Sequence, residues 1–522
     1  MRCPRWRIAR MNVAELMYRN ARKYPEKEAI IFKDLRLSYQ EIDDLSNRFA
    51  NAIVNLGIGK GDRVAMMMRN SEKFVAVYFG ILKAGAVVVP INISLVKAEV
   101  QFIINNCEAT VFVFDEIFAP VLKGIEDNLP TVKNFIVTGS NPGPGQLAYD
   151  DLTGQVPAQA PDVAIDENDP CSIIYTSGTT GTPRGAVFSH RGVVYTVCNT
   201  GALAHRMNLY TRNLAMMPLF HSAPLHLYFL GSIYVGGCNV ILEAFDPQLF
   251  LQTIQEQKTT HFFGPAVVYL TCAKLLDVSQ YDLSSMQMFV LGGSPIAEED
   301  INLILDRFGI RGKNKLQQVY GFTEAGPTGL GLYPEEIEIK TRSIGRSGNI
   351  GTETIIVDSE GKRVKPGEVG EIVVQSEGIM IEYFKDPEKT RGSIIDGWVR
   401  SGDLATYDED GYIYFVDRAK DMIISGGQNI YSKEVEDALM SHPAIMMTAV
   451  IGVPHPDWGE SVKAVVSLKP GHSVTPEELS DYCADRLAKF KRPRIIQIVD
   501  QIPHNPAGKI LKTEVRRLYG SA

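Results

Sequence analysis

The sequence predicts an α/β protein. It consists of a large N-terminal domain of stacked, mostly parallel sheets with helices, a small β-barrel-like subdomain, and a small C-terminal α+β domain. A chain of 522 residues is too long for one simple core. Strand and helix patterns alternate at the spacing of βαβ units in residues 29–90 and again in 212–335. Residues 353–375 differ, because short strand patterns there are separated by turn signals.

The N-terminal elements follow in chain order. Residues 29–33 and 35–39 have the composition of a strand pair, and an amphipathic helix follows them. Its buried face is marked by apolar residues at helical spacing: Ile42, Leu45, Phe49 and Ile53. The next predicted elements are a strand at 63–68, a helix at 72–83 that stops at Gly85, and a strand at 86–90. This alternation indicates parallel strands in one sheet.

Three later elements also have clear signals. Ser189 is placed to cap a helix that runs from His190 to about residue 199. Residues 223–242 carry no charge, but two adjacent glycines divide them, so we expect a buried helix and a strand at 238–242 rather than a membrane span. Thr475 begins a capping box with proline at the first helical position, inside the C-terminal α+β domain.

Composition excludes several classes of protein. A net charge of −8 disfavours a general nucleic-acid binder. The seven cysteines are scattered and form no C-x-x-C pair, which indicates reduced intracellular cysteine and no zinc site. Residues 1–10 contain four arginines and no apolar segment, so they are not a secretory signal. We therefore expect a cytoplasmic protein without a transmembrane segment.

The stretch 176–185 has the composition of a loop that binds phosphate. Its glycines allow the backbone N–H groups to approach an anion, its hydroxyls can donate to phosphate oxygens, and Arg184 supplies a cation. Short strand patterns at 171–175 and 185–188 predict that the loop joins the two strands of a hairpin. It is not a Walker A loop, because G-x-x-x-x-G-K-[ST] is absent. The alternative is a solvated Gly/Thr turn.

Residues 175–185 resemble the signature phosphate loop of the adenylate-forming enzymes, which include acyl- and aryl-CoA synthetases, luciferases and peptide-synthetase adenylation domains. The family usually has lysine where this chain has Arg184, which keeps the positive charge but changes its geometry. The resemblance implies that the β- and γ-phosphates of ATP are bound by this loop, through Thr176, Ser177, Gly178, Thr179, Thr180, Gly181 and Arg184.

Five further stretches resemble the motifs of the same family and follow in its order: 292–295, 320–324, 397–403, 417–421 and 506–512. The resemblance implies that the adenine lies along Gly293, Ser294, Pro295, Tyr320 and Gly321. It also implies that Thr323 touches the α-phosphate and that Glu324 binds Mg²⁺, a cation that takes carboxylate and phosphate oxygens.

The C-terminal motifs imply further roles by the same resemblance. Asp403 binds the ribose, Arg418 contacts the nucleotide, and Lys420 is the pivot between an N-terminal domain of residues 1–419 and a mobile domain of residues 420–522. The pantetheine path is lined by Gly426 and Gly427. Lys509 bridges the acid carboxylate and the phosphate, where its charge stabilises the transition state.

His221 stands where the family has an aromatic residue or histidine. The resemblance implies that this side chain lies beside the acyl pocket and gates access to it. A lone histidine in an apolar region is more often a satisfied core residue, and both interpretations stay open. The segments expected to line the pocket are mostly apolar, which favours a hydrophobic acid, fatty or aryl, with a medium or long fatty acid preferred.

The function implied by the resemblance is that of an ATP-dependent carboxylic acid–CoA ligase with Mg²⁺, which forms an acyl adenylate and then an acyl-CoA. One alternative is a ligase that loads a carrier protein, and another is an unrelated ATP-hydrolysing or phosphotransferase enzyme. The expected partners are the acid, ATP and CoA, and no nucleic acid is expected. The alternatives of a monomer and a homodimer stay open.

Overall fold

The computed structural model describes residues 12–176, 183–293, 296–346, 348–504 and 510–521. The chain divides into two compact units. The first unit comprises Met1–Thr341, Ser347–Thr354 and Val374–Val399, and the second comprises Arg342–Arg346, Ile355–Val373 and Arg400–Ala522. A mobile domain that begins at Lys420 stays a prediction.

The α-helices are α1 (Ala14–Lys23), α2 (Tyr39–Asn55), α3 (Glu72–Lys83), α4 (Lys97–Cys107), α5 (Ala119–Leu122), α6 (Tyr149–Gly154), α7 (His190–Thr196), α8 (Leu230–Tyr234), α9 (Pro247–Gln257), α10 (Ala266–Leu275), α11 (Glu298–Arg307), α12 (Pro387–Ser393), α13 (Ser432–Met440), α14 (Pro476–Ala484) and α15 (Lys512–Tyr519). Two wider π-type helical segments, Val197–Leu203 and Ala223–Phe229, continue α7 and precede α8. Within the described residues, no helix has both the length and the apolar character that crossing a membrane requires.

The strands are β1 (Glu28–Phe32), β2 (Leu35–Ser38), β3 (Arg63–Met67), β4 (Val87–Pro90), β5 (Val111–Asp115), β6 (Asn134–Thr138), β7 (Leu147–Ala148), β8 (Pro170–Thr176), β9 (Arg184–Ser189), β10 (Arg212–Ala215), β11 (Cys238–Ile241), β12 (His261–Gly264), β13 (Met288–Leu291), β14 (Leu316–Gly321), β15 (Gly329–Leu332), β16 (Gly345–Arg346), β17 (Glu353–Val357), β18 (Gly370–Gln375), β19 (Glu382–Tyr383), β20 (Ile394–Ile395), β21 (Trp398–Tyr407), β22 (Tyr412–Arg418), β23 (Ile423–Ser425), β24 (Gln428–Ile430), β25 (Ile445–His455), β26 (Gly459–Leu468) and β27 (Ile495–Ile498).

The first sheet of the first unit has the strand order β15-β14-β13-β12-β10-β11-β1-β2. Its inner pairs are parallel, and β2 and β15 are antiparallel strands at its edges. Because parallel strands end at the same edge, the carboxyl ends of β12, β13 and β14 come together there. That edge carries Gly264, Gly292 and Gly321.

The second sheet has the order β19-β9-β8-β4-β3-β5-β6-β7 and is also mostly parallel. The predicted hairpin is present, since β8 and β9 are antiparallel and their last pair joins Thr176 to Arg184. The short strand β19 adds to β9 and sets Tyr383 opposite Ala186. Ser189 accepts a hydrogen bond from Gly192 N, so the predicted cap of α7 is confirmed.

Helices α2 and α3 pack closely against each other in the core of the first unit. A Cβ built on Gly80 of α3 would lie 2.8 Å from the Ser46 carbonyl oxygen, so only glycine allows this approach. At the end of α3, the buried Lys83 ammonium donates to Asp43 Oδ1 at 2.6 Å, Ser46 Oγ at 2.6 Å and Asn47 Oδ1 at 2.7 Å. We call these four side chains the lysine cluster.

The second unit contains two smaller sheets, most of whose pairs are antiparallel. One has the order β16-β22-β21-β18-β17, which confirms the predicted change of pattern at residues 353–375. The other has the order β24-β23-β26-β25, and β27 joins β26 in parallel. The predicted capping box is present at Thr475 and Glu478. The α/β fold class is confirmed.

Candidate active site

The Glu324 carboxylate is the point where two of the predicted nucleotide motifs meet. Glu324 lies in the short helical turn Thr323–Ala325 that follows β14, and Thr176 is the last residue of β8. Thr176 Oγ1 donates to Glu324 Oε1 at 3.1 Å. The hydroxyl of Tyr383 donates to the same oxygen at 2.8 Å. Two segments that are far apart in sequence therefore share one carboxylate.

Tyr383 is a site residue that sequence reasoning missed. Burial, followed by the adjacent Glu324 charge and its hydrogen bond, raises the pKa of the Tyr383 hydroxyl, so it stays a neutral donor. The Arg184 guanidinium carbon lies 5.8 Å from the centre of the Tyr383 ring, a cation–π distance. Tyr383 therefore contacts both the predicted metal ligand and the predicted phosphate-binding cation. No motif marked it, because its position depends on the pairing of β19 with β9.

The carboxylate of Glu324 fits the predicted magnesium site. Both described donors bind Oε1, which leaves Oε2 without a donor among the described residues. A carboxylate oxygen is a ligand that Mg²⁺ prefers, and the metal commonly completes its shell with water and substrate phosphates. Within the described ranges, no group of three or more His, Cys, Asp or Glu side chains could hold a metal ion. A single carboxylate that acts together with nucleotide phosphates agrees with both observations.

The hydroxyl of Thr323 lies 3.0 Å from Ser222 Oγ, which orients the predicted α-phosphate contact. Ser222 is the second residue that was missed, although it is the sequence neighbour of His221. The His221 side chain is exposed, while desolvation by the surrounding protein lowers its pKa to about 4. With this lowered pKa the ring is neutral at physiological pH. The gating role of His221 stays a prediction.

The predicted adenine contacts lie on neighbouring strands of the first sheet. Tyr320 and Gly321 end β14, and Gly293 follows the adjacent β13. A Cβ built on Gly321 would lie 2.4 Å from the Pro327 carbonyl oxygen, so this position requires glycine. Gly293 has a φ of +89°, in the region that glycine adopts most easily. The sheet thus brings these residues to one edge.

The second unit contains the other predicted nucleotide contacts. Asp403 on β21 is paired with Arg418 on β22, and Arg418 Nε lies 3.5 Å from Asp403 Oδ1. The first part of β21 is held by Glu371 of β18, which accepts a hydrogen bond from Gly402 N at 2.9 Å and forms an ion pair with Arg400. The pairing of β21 with β22 therefore brings Asp403 and Arg418 together.

The predicted pivot and the predicted pantetheine path follow β22. Burial lowers the pKa of Lys420, against the raising effect of Asp421. Gly426 and Gly427 have φ values of +57° and +76° and form the two-residue turn between β23 and β24. Positive φ at both turn residues is typical of the tight hairpin turn that glycine favours. Their roles stay predictions.

Eight predicted site residues lie outside the described residues: Ser177, Gly178, Thr179, Thr180, Gly181, Ser294, Pro295 and Lys509.

The family of the chain follows from its similarity to known proteins. Residues 17–384 match the profile of the AMP-binding enzymes, and residues 434–509 match the profile of the C-terminal domain of the AMP-binding enzymes. The resemblance that the motifs indicated is therefore confirmed over most of the chain.

Individual relatives agree with these matches. The chain is 35% identical to a feruloyl-CoA synthase of an Amycolatopsis species, over 96% of this chain and 98% of the relative. It is 33% identical to a long-chain-fatty-acid–CoA ligase of Mycobacterium tuberculosis, over 98% of this chain and 99% of the relative. An anthranilate CoA ligase solved in complex with anthranoyl-AMP matches with a TM-score of 0.88 and 29% identity, over 98% of this chain and 97% of that one. The chain therefore belongs to the adenylate-forming family of AMP-binding enzymes, and it is an acyl-CoA synthetase, an AMP-forming acid–thiol ligase.

Proposed function

We propose that the enzyme uses ATP and Mg²⁺ to join a hydrophobic carboxylic acid, fatty or aryl, to AMP with release of pyrophosphate, and that it then transfers the acyl group to CoA with release of AMP. The observation that carries this proposal is the hydrogen bond of 3.1 Å between Thr176 and Glu324, which unites the phosphate loop with the predicted metal ligand. Similarity to a feruloyl-CoA synthase and to a fatty-acid–CoA ligase supports both classes of acid.

The first step depends on positioning and charge neutralisation. A carboxylate is a poor electrophile because its charge is delocalised, and joining it to the α-phosphate supplies AMP as a leaving group. Thr176 and Arg184 would bind the β- and γ-phosphates, and Thr323 would contact the α-phosphate. Mg²⁺ held by Glu324 would neutralise phosphate charge. The reacting carboxylate and phosphate would be bridged by Lys509.

The second step would use residues of the C-terminal part of the chain. Asp403 and Arg418 would keep hold of the ribose and the nucleotide. A rotation about Lys420 would remove Lys509 from the site and bring in the turn that contains Gly426. The CoA thiol would then attack the acyl carbon, and AMP would leave.

The test of the overall reaction is the exchange of labelled pyrophosphate into ATP. The proposal expects exchange only when a suitable acid is present, followed by release of AMP and formation of acyl-CoA when CoA is added. Formation of ADP without dependence on an acid would contradict it. The family matches already remove the alternative of an unrelated ATP-hydrolysing or phosphotransferase enzyme.

The acceptor is tested by supplying either CoA or purified acyl carrier protein to the enzyme with acid and ATP. CoA is favoured by the similarity of the chain to a feruloyl-CoA synthase and to a long-chain-fatty-acid–CoA ligase. Faster acylation of a carrier protein at equal concentration would favour a carrier-loading ligase instead.

The role of Lys509 is tested with Lys509→Ala. The variant should lose formation of the acyl adenylate, because no cation would bridge carboxylate and phosphate. It should largely retain the transfer of a supplied acyl adenylate to CoA. Equal loss in both half-reactions would contradict the assignment.

A further inference from the structure

Two apolar side chains flank Gly292, which directly follows the end of β13. A Cβ built on Gly292 would lie 2.7 Å from Val319 Cγ2 and 2.8 Å from Phe263 Cε2, so these two side chains flank the glycine. Gly292 directly precedes Gly293, which is one of the predicted adenine contacts. Phe263, Gly292 and Val319 are therefore neighbours on one face of the sheet, directly beside the predicted nucleotide site.

Flat aromatic side chains cover this face. The ring of Tyr228, in the π-type segment before α8, lies parallel to the ring of Phe263, with centroids 4.3 Å apart and an angle of 7°. The ring of His205 lies on Tyr228, with centroids 4.8 Å apart. The Tyr228 ring therefore packs against two aromatic neighbours, at the centroid spacings typical of aromatic pairs.

Polar side chains lie next to the stacked rings. His205 Nδ1 lies 2.9 Å from Gln317 Oε1. Gln317 stands two residues before Val319 on β14, so both side chains are on the same face of the sheet. A Cβ built on Gly331 would lie 2.4 Å from Asn349 Oδ1 and 3.3 Å from Gln317 Nε2, so these two polar atoms lie beside the same glycine. We call Tyr228, His205, Gln317 and Asn349 the pocket set.

Each member of the pocket set has a buried polar atom without a hydrogen-bond partner in the described part of the chain: Tyr228 OH, His205 Nε2, Gln317 Nε2 and Asn349 Oδ1. A buried polar atom that lacks a partner costs about 1–3 kcal/mol. Single atoms of this kind also occur elsewhere, for example Tyr78 OH on α3. The pocket set differs because its members come from four separate segments and adjoin one another along one face.

The chemistry of the four atoms defines what they can bind. The Gln317 amide nitrogen donates and the Asn349 oxygen accepts, while the Tyr228 hydroxyl can do both. Burial lowers the pKa of His205 to about 4, so the ring is neutral. Since its Nδ1 donates to Gln317 Oε1, its Nε2 is an acceptor. The set therefore offers both donors and acceptors but no charge, which suits a hydroxyl or an amine and disfavours a second carboxylate.

We propose that the pocket set binds a neutral hydroxyl or amino group on the ring of an aromatic acid, and that the acid activated by this enzyme belongs to that class. The inference rests on the proposed function and narrows its substrate. The proposed aromatic acid differs from the fatty acid that the sequence predicted, because that prediction considered only the apolar character of the segments that line the pocket.

The experiment compares acids matched in size in the pyrophosphate exchange assay. Suitable sets are cinnamic acid with its ring-hydroxylated derivatives, benzoic acid with its hydroxy and amino derivatives, and octanoic and decanoic acids. We expect at least one hydroxylated or aminated aromatic acid to exceed its unsubstituted parent about 10-fold or more in kcat/KM, because the parent leaves the pocket set unpaired. Equal or better rates with the unsubstituted or aliphatic acids would overturn this inference alone. The absence of exchange with every acid would overturn the proposed function as well.

Variants then test the assigned atoms. Tyr228→Phe and Gln317→Leu should each reduce the preference for the substituted acid over its parent by about 10-fold. The preference is a ratio within one preparation, so it does not depend on the folded fraction. Tyr78→Phe is the matched control, because it removes a buried hydroxyl without a partner at another place in the same unit. A preference that changes equally in all three variants, or in none, would overturn the assignment.

A binding measurement gives a readout that is independent of turnover. The increase in unfolding temperature caused by the substituted acid, in the presence of a non-hydrolysable ATP analogue, should shrink in Tyr228→Phe and persist in Tyr78→Phe. An unchanged increase in Tyr228→Phe would also count against the proposal.

Discussion

The lysine cluster and the pocket set are both buried polar groups of the first unit, but their hydrogen bonding differs. In the lysine cluster, the Lys83 ammonium has three side-chain acceptors, and Asn47 Nδ2 donates to Asp43 Oδ2 at 3.0 Å. In the pocket set, every member retains a buried atom without a partner among the described residues. The same chain thus satisfies one polar group fully and leaves the other incomplete.

This difference in hydrogen bonding indicates a structural role for the lysine cluster and a binding role for the pocket set. A buried charge is retained only when the surrounding protein compensates for its loss of water, as it does around Lys83. Polar atoms that the chain itself does not pair are compensated by water or by a ligand. Glu324 lies between the two cases, because one oxygen is bound by protein donors and the other is left for a cation.

The largest expected effect is on the lysine cluster. Lys83→Met should lower the free energy of unfolding by about 3–5 kcal/mol, because Asp43 would keep a buried charge without its partner. Urea denaturation measures this loss, and the folded fraction should retain its exchange rate. Lys60→Met, which breaks the exposed pair with Asp169, is the control and should have a far smaller effect. A loss below about 1 kcal/mol in Lys83→Met would break the comparison, because the satisfied cluster would then contribute little.

A somewhat smaller effect is expected at Glu324, whose carboxylate is only partly paired by the protein. Tyr383→Phe should lower kcat/KM for ATP about 10- to 100-fold, because a hydrogen bond to a charged group contributes about 1.5–3 kcal/mol. It should also weaken Mn²⁺ binding to the enzyme–ATP complex, measured by electron paramagnetic resonance. Tyr269→Phe, which removes a buried hydroxyl bound to the Val290 carbonyl oxygen, is the control. If Tyr383→Phe has the same kcat/KM for ATP and the same Mn²⁺ affinity as the unaltered enzyme, the hydrogen bond from Tyr383 is not needed for the function of Glu324.

The third effect is a pH dependence carried by the pocket set. Burial lowers the pKa of His205 to about 4, whereas an unfolded histidine titrates near 6.5. Unfolding therefore takes up a proton between these values, and stability falls as the pH is lowered, by about 2 kcal/mol for one such histidine at pH 5. His205→Asn should reduce the loss of stability between pH 7.5 and pH 5 by about that amount. An identical pH dependence in the two proteins would contradict a neutral His205.

The smallest expected effect is the difference in stability between two variants, one that removes the paired hydroxyl of Tyr39 and one that removes the unpaired hydroxyl of Tyr228. Tyr39→Phe removes a buried hydroxyl that donates to the Gly237 carbonyl oxygen at 2.6 Å, and it should cost about 1–3 kcal/mol. Tyr228→Phe removes a buried hydroxyl without a partner, and the stability of the ligand-free protein should stay within about 1 kcal/mol or increase. Denaturation of both variants without ligand measures this difference. Equal losses would mean that Tyr228 has a partner in solution, such as bound water.

The motifs were predictable because their residues are contiguous. The glycines and hydroxyls of 176–185 indicate anion binding without reference to the rest of the chain, and Glu324 belongs to a five-residue motif. Tyr383 and Ser222 could not be found in this way. Tyr383 lies in a segment with no chemical pattern of its own, and its role arises from the pairing of β19 with β9. Ser222 follows the motif position of His221, but its contact with Thr323 depends on packing between segments far apart in the chain.

The sequence by itself determined the α/β class, the hairpin around the phosphate loop, the helix caps and the adenylate-forming family, because periodicity, turn residues and contiguous motifs are local properties. Only the tertiary structure decided that Thr176, Tyr383 and Glu324 meet, and that the polar atoms of the pocket set adjoin along one face. These contacts depend on strand register and on packing between segments that are far apart in the chain. Whether a buried polar atom has a hydrogen-bond partner can be judged only once its neighbours are in place.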